Sequence, residues 1–445
     1  MSNRRVVITG IGPVTPIGSG ATEFWNGLVE KKCGIRRIRE FDPSGFDSQV
    51  GGEIDGIKIG HFVPKSYRKA GKIMARDIVL AVAAAHYAVT DADLHTRCLV
   101  ERGEADAANV DSNRLGVNIG AGLICADLGE LAEALYAGVE DGSFSLARWG
   151  AEAMNNLTPL WLLKFLPNML ACHVTIVHDA RGPSNTITCG EASSHLAIGE
   201  AFRTIQRGTA DVSLCGGAES KDNPMALIRQ SLVGRLTCRN DVPERACRPF
   251  GADRDGTAIS EGGAVMVLEE LEHARARGAR IYAEIVGFGL SNDAYAPGAA
   301  GEPAPDGRGV VLAANKALRD AGVTPDQVDM VSAFAAGLPR HDAAEAHAIE
   351  AILGDRCGEV PVLAIKAGLG NNGAGSGAID FAAAVLAMRH GTIAPAFNST
   401  PLDPELHLRL AAQDPVDARI DVALCNAYAL GGGQNASLVI RRYRD

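Results

Sequence analysis

Short apolar runs rich in β-branched residues alternate along the chain with longer segments of helical periodicity. The runs in the first half are RVVITGIG, RLGVNIGAG, SNTITC and DVSLCGGAES. Those in the second half are GGAVMVLEEL, YAEIVGFGLSN, VDMVSAF, VPVLAIKAG, DVALCNAYALGG and NASLVIRRY. Buried strands that alternate with helices are typical of α/β proteins with parallel strands. The pattern therefore predicts an α/β fold.

Helical spacing of apolar positions predicts the intervening helices. They are expected at Thr22–Lys31, Ile78–Ala88, Leu128–Ala137, Ser193–Gln206, Arg308–Ala321, Ala343–Leu353 and Ala378–His390. The segment GEPAPDGRG, around Pro303 and Pro305, reads as a loop between two halves of similar plan. No residue-level repeat of fixed period occurs, so the pattern alone leaves open whether the halves are a duplication of one fold.

Composition narrows the classes of function. The chain has 445 residues and a formal net charge of −10, which argues against nucleic acid as the main partner. A small acidic partner such as a carrier protein would need a local basic patch. The ten cysteines form no CxxC pair, so neither a metal site nor a disulfide framework is indicated. No apolar run reaches the roughly 18 residues of a membrane span, and we expect a cytoplasmic protein that does not enter a membrane.

The stretch SNTITCGEASSHLAIGEAF, which begins at Ser184, predicts a strand, a sharp turn of small residues and a helix. The positive end of a helix favours an anion, so a thiol there becomes reactive whereas a carboxylate is only stabilised. Cys189 is either a nucleophile or a small buried hydrophobe. His195 is either a base or a packed helix residue. Glu191 is either the residue that the sharp turn holds out into a pocket, which we call the elbow residue, or an ordinary acidic residue in the first turn of the helix.

The segment RGPSNTITCGEASSHLAIGEAFRTIQRGTADVSLCGGAES closely resembles the active-cysteine region of β-ketoacyl-acyl-carrier-protein synthases, which are condensing enzymes of the thiolase-fold superfamily. The agreement continues through RRVVITGIGPVTPIG, RPFGADRDGTAISEGGAVMVLEELEHARARGARIYAEIVGFGLSNDAY, LAIKAGLGNNGAGSGAIDFAAAVLAMRHG and CNAYALGGGQNASLVI. The resemblance implies a thiolase-like α/β fold, with two duplicated βαβαβαββ halves in a five-layer α-β-α-β-α arrangement. It places the halves at residues 1–270 and 271–445.

The resemblance also assigns residues to the family's catalytic positions. Glu191 takes the place of the nucleophilic cysteine, and Phe334 and Asn371 take the places of two histidines. The lysine and the acidic residue that accompany those histidines are retained as Lys366 and Glu345. Without a thiolate and an imidazole pair, no condensing activity is expected. The Glu191 carboxylate is expected to pair with Lys366 or with another nearby cation.

Within the superfamily these replacements resemble the chain-length factors, the non-catalytic partners of type II polyketide and polyene synthases. The resemblance implies a heterodimer with an active ketosynthase and a tunnel for the growing polyketide or polyene chain. Acyl carrier protein would deliver its phosphopantetheine arm to the active partner, and this chain would bind no cofactor of its own. The alternative is a malonyl-carrier-protein decarboxylase or another acyltransferase that uses a glutamate elbow.

Two apolar segments have candidate roles in that tunnel and interface. The resemblance places tunnel-closing positions near Ala126, Gly129 and Glu133, on one helical face, and adds Tyr428 from the second half. Small residues on a helix also simply allow close packing, and that alternative stays open. In PLWLLKFLPNML, one-turn spacing of Trp161, Phe165 and Met169 suits either core packing or a partner interface.

Overall fold

The structure is a computed structural model that describes residues 4–293 and 302–444. Its strands are β1 (Val6–Thr15), β2 (Gly18–Ser19), β3 (Ile35–Arg37), β4 (Val50–Gly52), β5 (Leu115–Ala121), β6 (Val139–Glu140), β7 (Ser143–Phe144), β8 (Ser184–Ile187), β9 (Val212–Ser220), β10 (Ile259–Glu270), β11 (Ala283–Asp293), β12 (Met330–Ser332), β13 (Pro361–Leu363), β14 (Thr392–Ile393), β15 (Arg409–Leu410), β16 (Val416–Asp417), β17 (Val422–Tyr428) and β18 (Gly433–Arg441).

The α-helices agree closely with the periodicity of the sequence. They are α1 (Ala21–Val29), α2 (Arg76–Asp91), α3 (Arg97–Arg102), α4 (Leu128–Ala137), α5 (Leu146–Ala151), α6 (Met169–His178), α7 (Ser193–Gln206), α8 (Pro224–Leu232), α9 (Leu271–Ala276), α10 (Arg308–Ala321), α11 (Pro339–Leu353) and α12 (Ser376–His390). Each predicted helix is present, and α4, α7 and α10 have the predicted bounds. No helix within the described ranges is long and apolar enough to cross a membrane.

The order of strands in the main sheet shows that the fold is duplicated. The path runs β15-β13-β12-β17-β18-β11-β1-β10-β9-β5-β8. In the N-terminal half, β1 pairs antiparallel with β10 and β10 with β9, whereas β9, β5 and β8 run parallel. In the C-terminal half β11, β18, β17, β12 and β13 repeat this order and these directions. The two halves meet where β1 and β11 pair antiparallel. The duplication that the pattern left open is therefore present.

Helices form layers on both sides of each half-sheet. Helices α7 and α12 contact each other and strands of both halves, so they form the central layer. The pair α2 and α6 covers the N-terminal half, and the pair α10 and α11 packs by the C-terminal half. Helix α12 is buried all round from Ser376 to Met388, because sheets and helices enclose it. The predicted thiolase-like α-β-α-β-α arrangement is confirmed.

The predicted division at residues 270 and 271 lies between the end of β10 and the start of α9. The boundary stays a prediction. The predicted loop around Pro303 and Pro305 is described from Glu302 to Gly307, and its first residue, Gly301, lies outside the described residues. Its expected place between the halves is wrong, because it follows β11 and precedes α10, which both belong to the C-terminal half.

Candidate functional site

A tight turn between β8 and α7 carries the elbow. Gly190 adopts φ 56°, in the left-handed region that favours glycine, and a Cβ there would lie 3.3 Å from the Cβ of Ala429. The Ser193 hydroxyl fixes the turn, because its Oγ donates to the Gly190 carbonyl at 2.6 Å and accepts from the Cys189 N–H at 2.7 Å. The next side chain, Glu191, therefore points inward at the start of α7.

Glu191 is held as a buried anion. Its side chain is 4% exposed, and its two oxygens accept from the Asn371 Nδ2 amide at 3.1 Å and the Leu430 N–H at 3.0 Å. Burial by itself raises the pKa of this carboxyl. The charge of Lys221 and the two donors outweigh burial, and the pKa of Glu191 is lower than its usual value. The elbow carboxylate is therefore ionised at neutral pH.

The orientation of the Asn371 amide is fixed by its own neighbours. Its Oδ1 accepts from the Gly373 N–H at 2.9 Å and from the Ser376 hydroxyl at 3.3 Å. With the oxygen used in this way, the NH₂ group faces Glu191. Asn371 thus supplies a hydrogen bond to an anion at the elbow, but it has no proton to exchange near neutral pH.

Phe334 and Glu345 form a second buried cluster. The Phe334 ring centroid lies 5.0 Å from that of Tyr428, and the Phe334 ring is fully buried. Glu345 accepts from the backbone N–H groups of Phe334 and Ala335 at 2.7 and 2.8 Å. The Tyr428 hydroxyl donates to the same carboxylate at 3.3 Å. Burial raises the pKa of Glu345 to about 8.

Lys366 does not pair with Glu191, so that option of the sequence analysis is wrong. Its Nζ donates to both carboxylate oxygens of Asp380, at 2.6 Å to Oδ1, and lies 4.4 Å from the Phe334 ring centroid. The second option, a pair with another nearby cation, stays a prediction: the charge of Lys221 lowers the pKa of Glu191, but the Lys221 Nζ donates to Glu219. Lys221 follows directly after β9 and was missed because nothing in its local sequence links it to the elbow.

Burial decides whether Cys189 and His195 can serve as the nucleophile and the base that the sequence analysis considered. Cys189 is half-buried, and burial raises the pKa of its thiol, which disfavours the reactive thiolate. His195 is fully buried against Phe381, and burial lowers its pKa to about 3, so it is a neutral packed residue.

Two histidines of α11, His341 and His347, differ in position. His347 is exposed. His341 is buried, stacks on Tyr428, and its Nε2 lies 3.3 Å from the Leu430 carbonyl.

Of the three predicted tunnel residues that were expected to share a helical face, the structure places two on one helix. Helix α4 begins at Leu128, where Asp127 caps it by accepting from the Glu130 N–H at 2.9 Å, so Ala126 precedes the helix. The shared helical face is therefore wrong for Ala126 and holds for Gly129 and Glu133, which are exposed. Ala126 and Gly129 line a cavity of about 840 Å³. Tyr428 instead packs with Phe334, and a role of any of the four in a tunnel stays a prediction.

The segment around Trp161 is only partly packed. Trp161, Phe165 and Met169 are half-buried, the rings of Trp161 and Phe165 contact each other at 5.0 Å, and Leu162 is 59% exposed. Core packing and a partner interface both remain compatible with this segment.

Residues 3–274 match the family profile "Beta-ketoacyl synthase, N-terminal domain", and residues 282–400 match "Beta-ketoacyl synthase, C-terminal domain". The chain belongs to the β-ketoacyl synthase family. Curated relatives in this family include 3-oxoacyl-[acyl-carrier-protein] synthase 2 of Synechocystis sp., 35% identical over 100% of this chain and 99% of the relative. The protein of the same name from Vibrio cholerae is 33% identical over 99% of this chain and 100% of the relative.

Solved structures of the β-ketoacyl synthase family share the fold over the whole chain. A type II polyketide synthase acyl carrier protein in complex with its ketosynthase, bound to the hexaketide, gives a TM-score of 0.84 at 27% identity, with 100% of both chains covered. The ishigamide ketosynthase/chain length factor gives 0.83 at 30% identity, also with 100% of both chains covered.

The interpretation of the chain as a non-catalytic chain-length-factor-like subunit is wrong in light of these relatives. Curated proteins that match it from end to end at 33–35% identity are named as synthases, not as chain-length factors. The ishigamide structure is named for both a ketosynthase and a chain length factor, so its likeness supports the family and the fold. The expected absence of a bound cofactor and the delivery of phosphopantetheine to a separate partner stay predictions.

Proposed function

We propose that this chain acts on acyl groups carried by acyl carrier protein, the group and the carrier that the names of its relatives state. The observation that carries the proposal is the end-to-end match, at 35% identity, to a protein named 3-oxoacyl-[acyl-carrier-protein] synthase 2. The solved complex of a ketosynthase with its acyl carrier protein, 27% identical to this chain, supports the same class of partner.

A local basic surface supports the docking of an acidic carrier protein on a chain whose net charge is −10. Lys65, Arg68, Lys69 and Lys72 lie in the 3-10 segment Lys65–Ile73, and all four side chains are exposed. None of them forms an ion pair with any residue of the described ranges. Unpaired cations on one short segment attract an acidic partner and increase the rate of encounter.

We further propose that Glu191, Phe334 and Asn371 occupy the catalytic positions of the thiol-dependent synthases. The contact of Asn371 with Glu191 supports this, as does the place of Phe334 beside Lys366 and Glu345. An ionised carboxylate with a lowered pKa is a poor acceptor of an acyl group, so no stable acyl adduct is expected at residue 191. The two donors that would stabilise an oxyanion are already used by the Glu191 carboxylate.

Malonyl decarboxylation through a glutamate elbow gains less support from this geometry. The free carboxylate of a malonyl group would approach the ionised Glu191, and two unit charges about 4 Å apart repel by roughly 4 kcal/mol at an effective dielectric constant of 20. Phe334 and Asn371 provide no imidazole to stabilise the enolate that decarboxylation forms.

The test measures carrier binding and carrier products together. The purified chain is titrated with acyl- and malonyl-carrier protein, and the carrier species are then resolved by mass spectrometry. The proposal predicts saturable binding and turnover of carrier-bound acyl groups without an acyl adduct on residue 191, with binding weakened by K65E/K69E. A matched control, K32E/R319E, reverses two exposed cations outside the Lys65–Ile73 segment and should leave binding unchanged. Absence of binding and of any altered carrier species would overturn the proposal.

A further inference from the structure

The geometry points to Lys221 as the positioning cation of the Glu191 carboxylate, acting with Glu219 and the turn that holds Asn371. The inference rests on the proposed function only in treating residue 191 as the functional elbow. Its test measures folding and protonation, so a failure here is separate from a failure of carrier binding.

A continuous chain of buried contacts connects Lys221 to the elbow. Lys221 is 7% exposed, and its Nζ donates to Glu219 Oε1 at 3.0 Å. The other oxygen of Glu219 accepts from the Ala374 N–H at 2.7 Å. Ala374 belongs to the same turn as Gly373, whose N–H orients Asn371 towards Glu191. The cation, the turn and the elbow carboxylate therefore occupy one connected site.

Two glycines leave no room for this pair to move. Gly373 has φ 56°, and a Cβ there would overlap the Glu219 carboxylate and lie 2.7 Å from Cε of Lys221. A Cβ on Gly122 would also overlap the Glu219 carboxylate. Because backbone encloses the carboxylate, the Lys221 ammonium is held in place relative to the turn and to Glu191.

Among the charges around Glu191, that of Lys221 lowers its pKa most, and Arg235 also interacts with Glu191 through charge. Arg235 donates to the Leu430 carbonyl at 2.8 Å, and Arg229 donates to the Cys125 sulfur at 3.0 Å. Burial lowers the pKa of Arg235, although the negative charge of Glu191 acts to raise it. Burial also acts to lower the pKa of Lys221, but the negative charges of Glu219 and Glu191 together keep that pKa above its usual value.

Tyr428 and its neighbours add no positive charge at this point. Burial and the charges of Glu345, Asp342 and Glu191 raise the pKa of the Tyr428 hydroxyl, which stays neutral. His341 faces the Leu430 carbonyl. Removal of the Lys221 charge would therefore leave Glu191 and Glu219 as two buried carboxylates without their common cation, and an unpaired buried charge is strongly destabilising.

The test compares the melting temperature of K221M at pH 5 and pH 8, alone and combined with E191Q or E219Q. We expect a loss of about 5 °C at pH 8 and a smaller loss at pH 5, where a carboxylate can take up a proton. E191Q should restore at least half of the loss at pH 8. Full restoration by E219Q with none by E191Q would overturn the inference, because Lys221 would then serve Glu219 alone.

K366M is the matched control, since Lys366 is also buried but pairs with Asp380. E191Q should not restore any stability to K366M. If K221M does not fold, ¹³Cε-lysine labelling of the wild-type and E191Q proteins tests the same coupling. E191Q should shift the Lys221 titration to lower pH, and an unchanged titration would overturn the inference.

Discussion

Asn371→Asp tests whether the elbow carries a fixed negative charge. The substitution keeps the size of the side chain and the acceptor for the Gly373 N–H, but it replaces the amide donor that lies 3.1 Å from Glu191 Oε1 with a carboxylate oxygen. Two ionised carboxylates at this separation repel by about 5 kcal/mol at an effective dielectric constant of 20. The lost hydrogen bond to a charged group adds about 1.5–3 kcal/mol.

Protonation limits this cost and gives it a characteristic pH dependence. The two carboxylates can share one proton, and adding that proton costs about 1.4 kcal/mol for each pH unit above the ordinary pKa of about 4. We therefore expect N371D to lose about 1–2 kcal/mol of stability at pH 5 and about 5 kcal/mol at pH 8. The sign follows from linkage: a pair with a raised pKa binds more protons when folded, so its stability falls as pH rises.

The contribution of Glu191 to the stability of the wild-type protein has the opposite pH dependence. Its pKa is lowered in the folded state, so its contribution is present above the unfolded pKa and is lost as pH falls through the folded pKa. Urea unfolding at each pH unit from pH 3 to pH 8 measures both profiles, with the wild-type loss expected below pH 5 and the N371D loss growing above it. The double variant E191Q/N371D exchanges the donor and acceptor and should regain at least half of the loss at pH 8. A loss for N371D below about 1 kcal/mol at every pH would refute an ionised Glu191 in contact with Asn371.

Two further predictions concern the docking surface and the central layer. For K65E/K69E, we expect slower association with acyl carrier protein in stopped-flow measurements and a weaker dependence of the rate on salt, because long-range attraction is lost; an unchanged rate and salt dependence would contradict this. For Gly199→Ala in α7, whose new Cβ would overlap the Phe288 ring on β11, we expect a loss of about 1–3 kcal/mol in urea unfolding. Adding Phe288→Leu should recover part of that loss, and a fully stable single variant would argue against this packing.

The elements and the elbow could be predicted because their signals are local. Helix α7 has the bounds that its apolar spacing predicts, and Gly190 marks the turn before it. A local signal was also overlooked, since Asp127 followed by Glu130 is the pattern of a helix N-terminus. That pattern would have placed Ala126 outside α4.

The partners of the elbow could not be predicted, because they depend on distant segments. Leu430 donates to Glu191 across 239 positions of sequence. Lys366 is one of the two options that the sequence offers for a cation near Glu191, but it pairs with Asp380 on α12. The charge that lowers the pKa of Glu191 most is that of Lys221, directly after β9. The burial of His341 under Tyr428 likewise follows from packing between segments and not from its own surroundings in the sequence.

The most direct test of the central claim is the intact mass of Glu191→Cys after incubation with acyl-carrier protein. A thiol at residue 191 would stand at the start of the 14-residue helix α7, beside the Leu430 N–H, where the thiolate is favoured. We predict one acyl group on E191C and on E191C/C189S, and none on the wild type or E191A. An acyl group on the wild type, or none on E191C that still binds acyl-carrier protein, would contradict the assignment of residue 191 as the elbow that faces the carrier-bound acyl group.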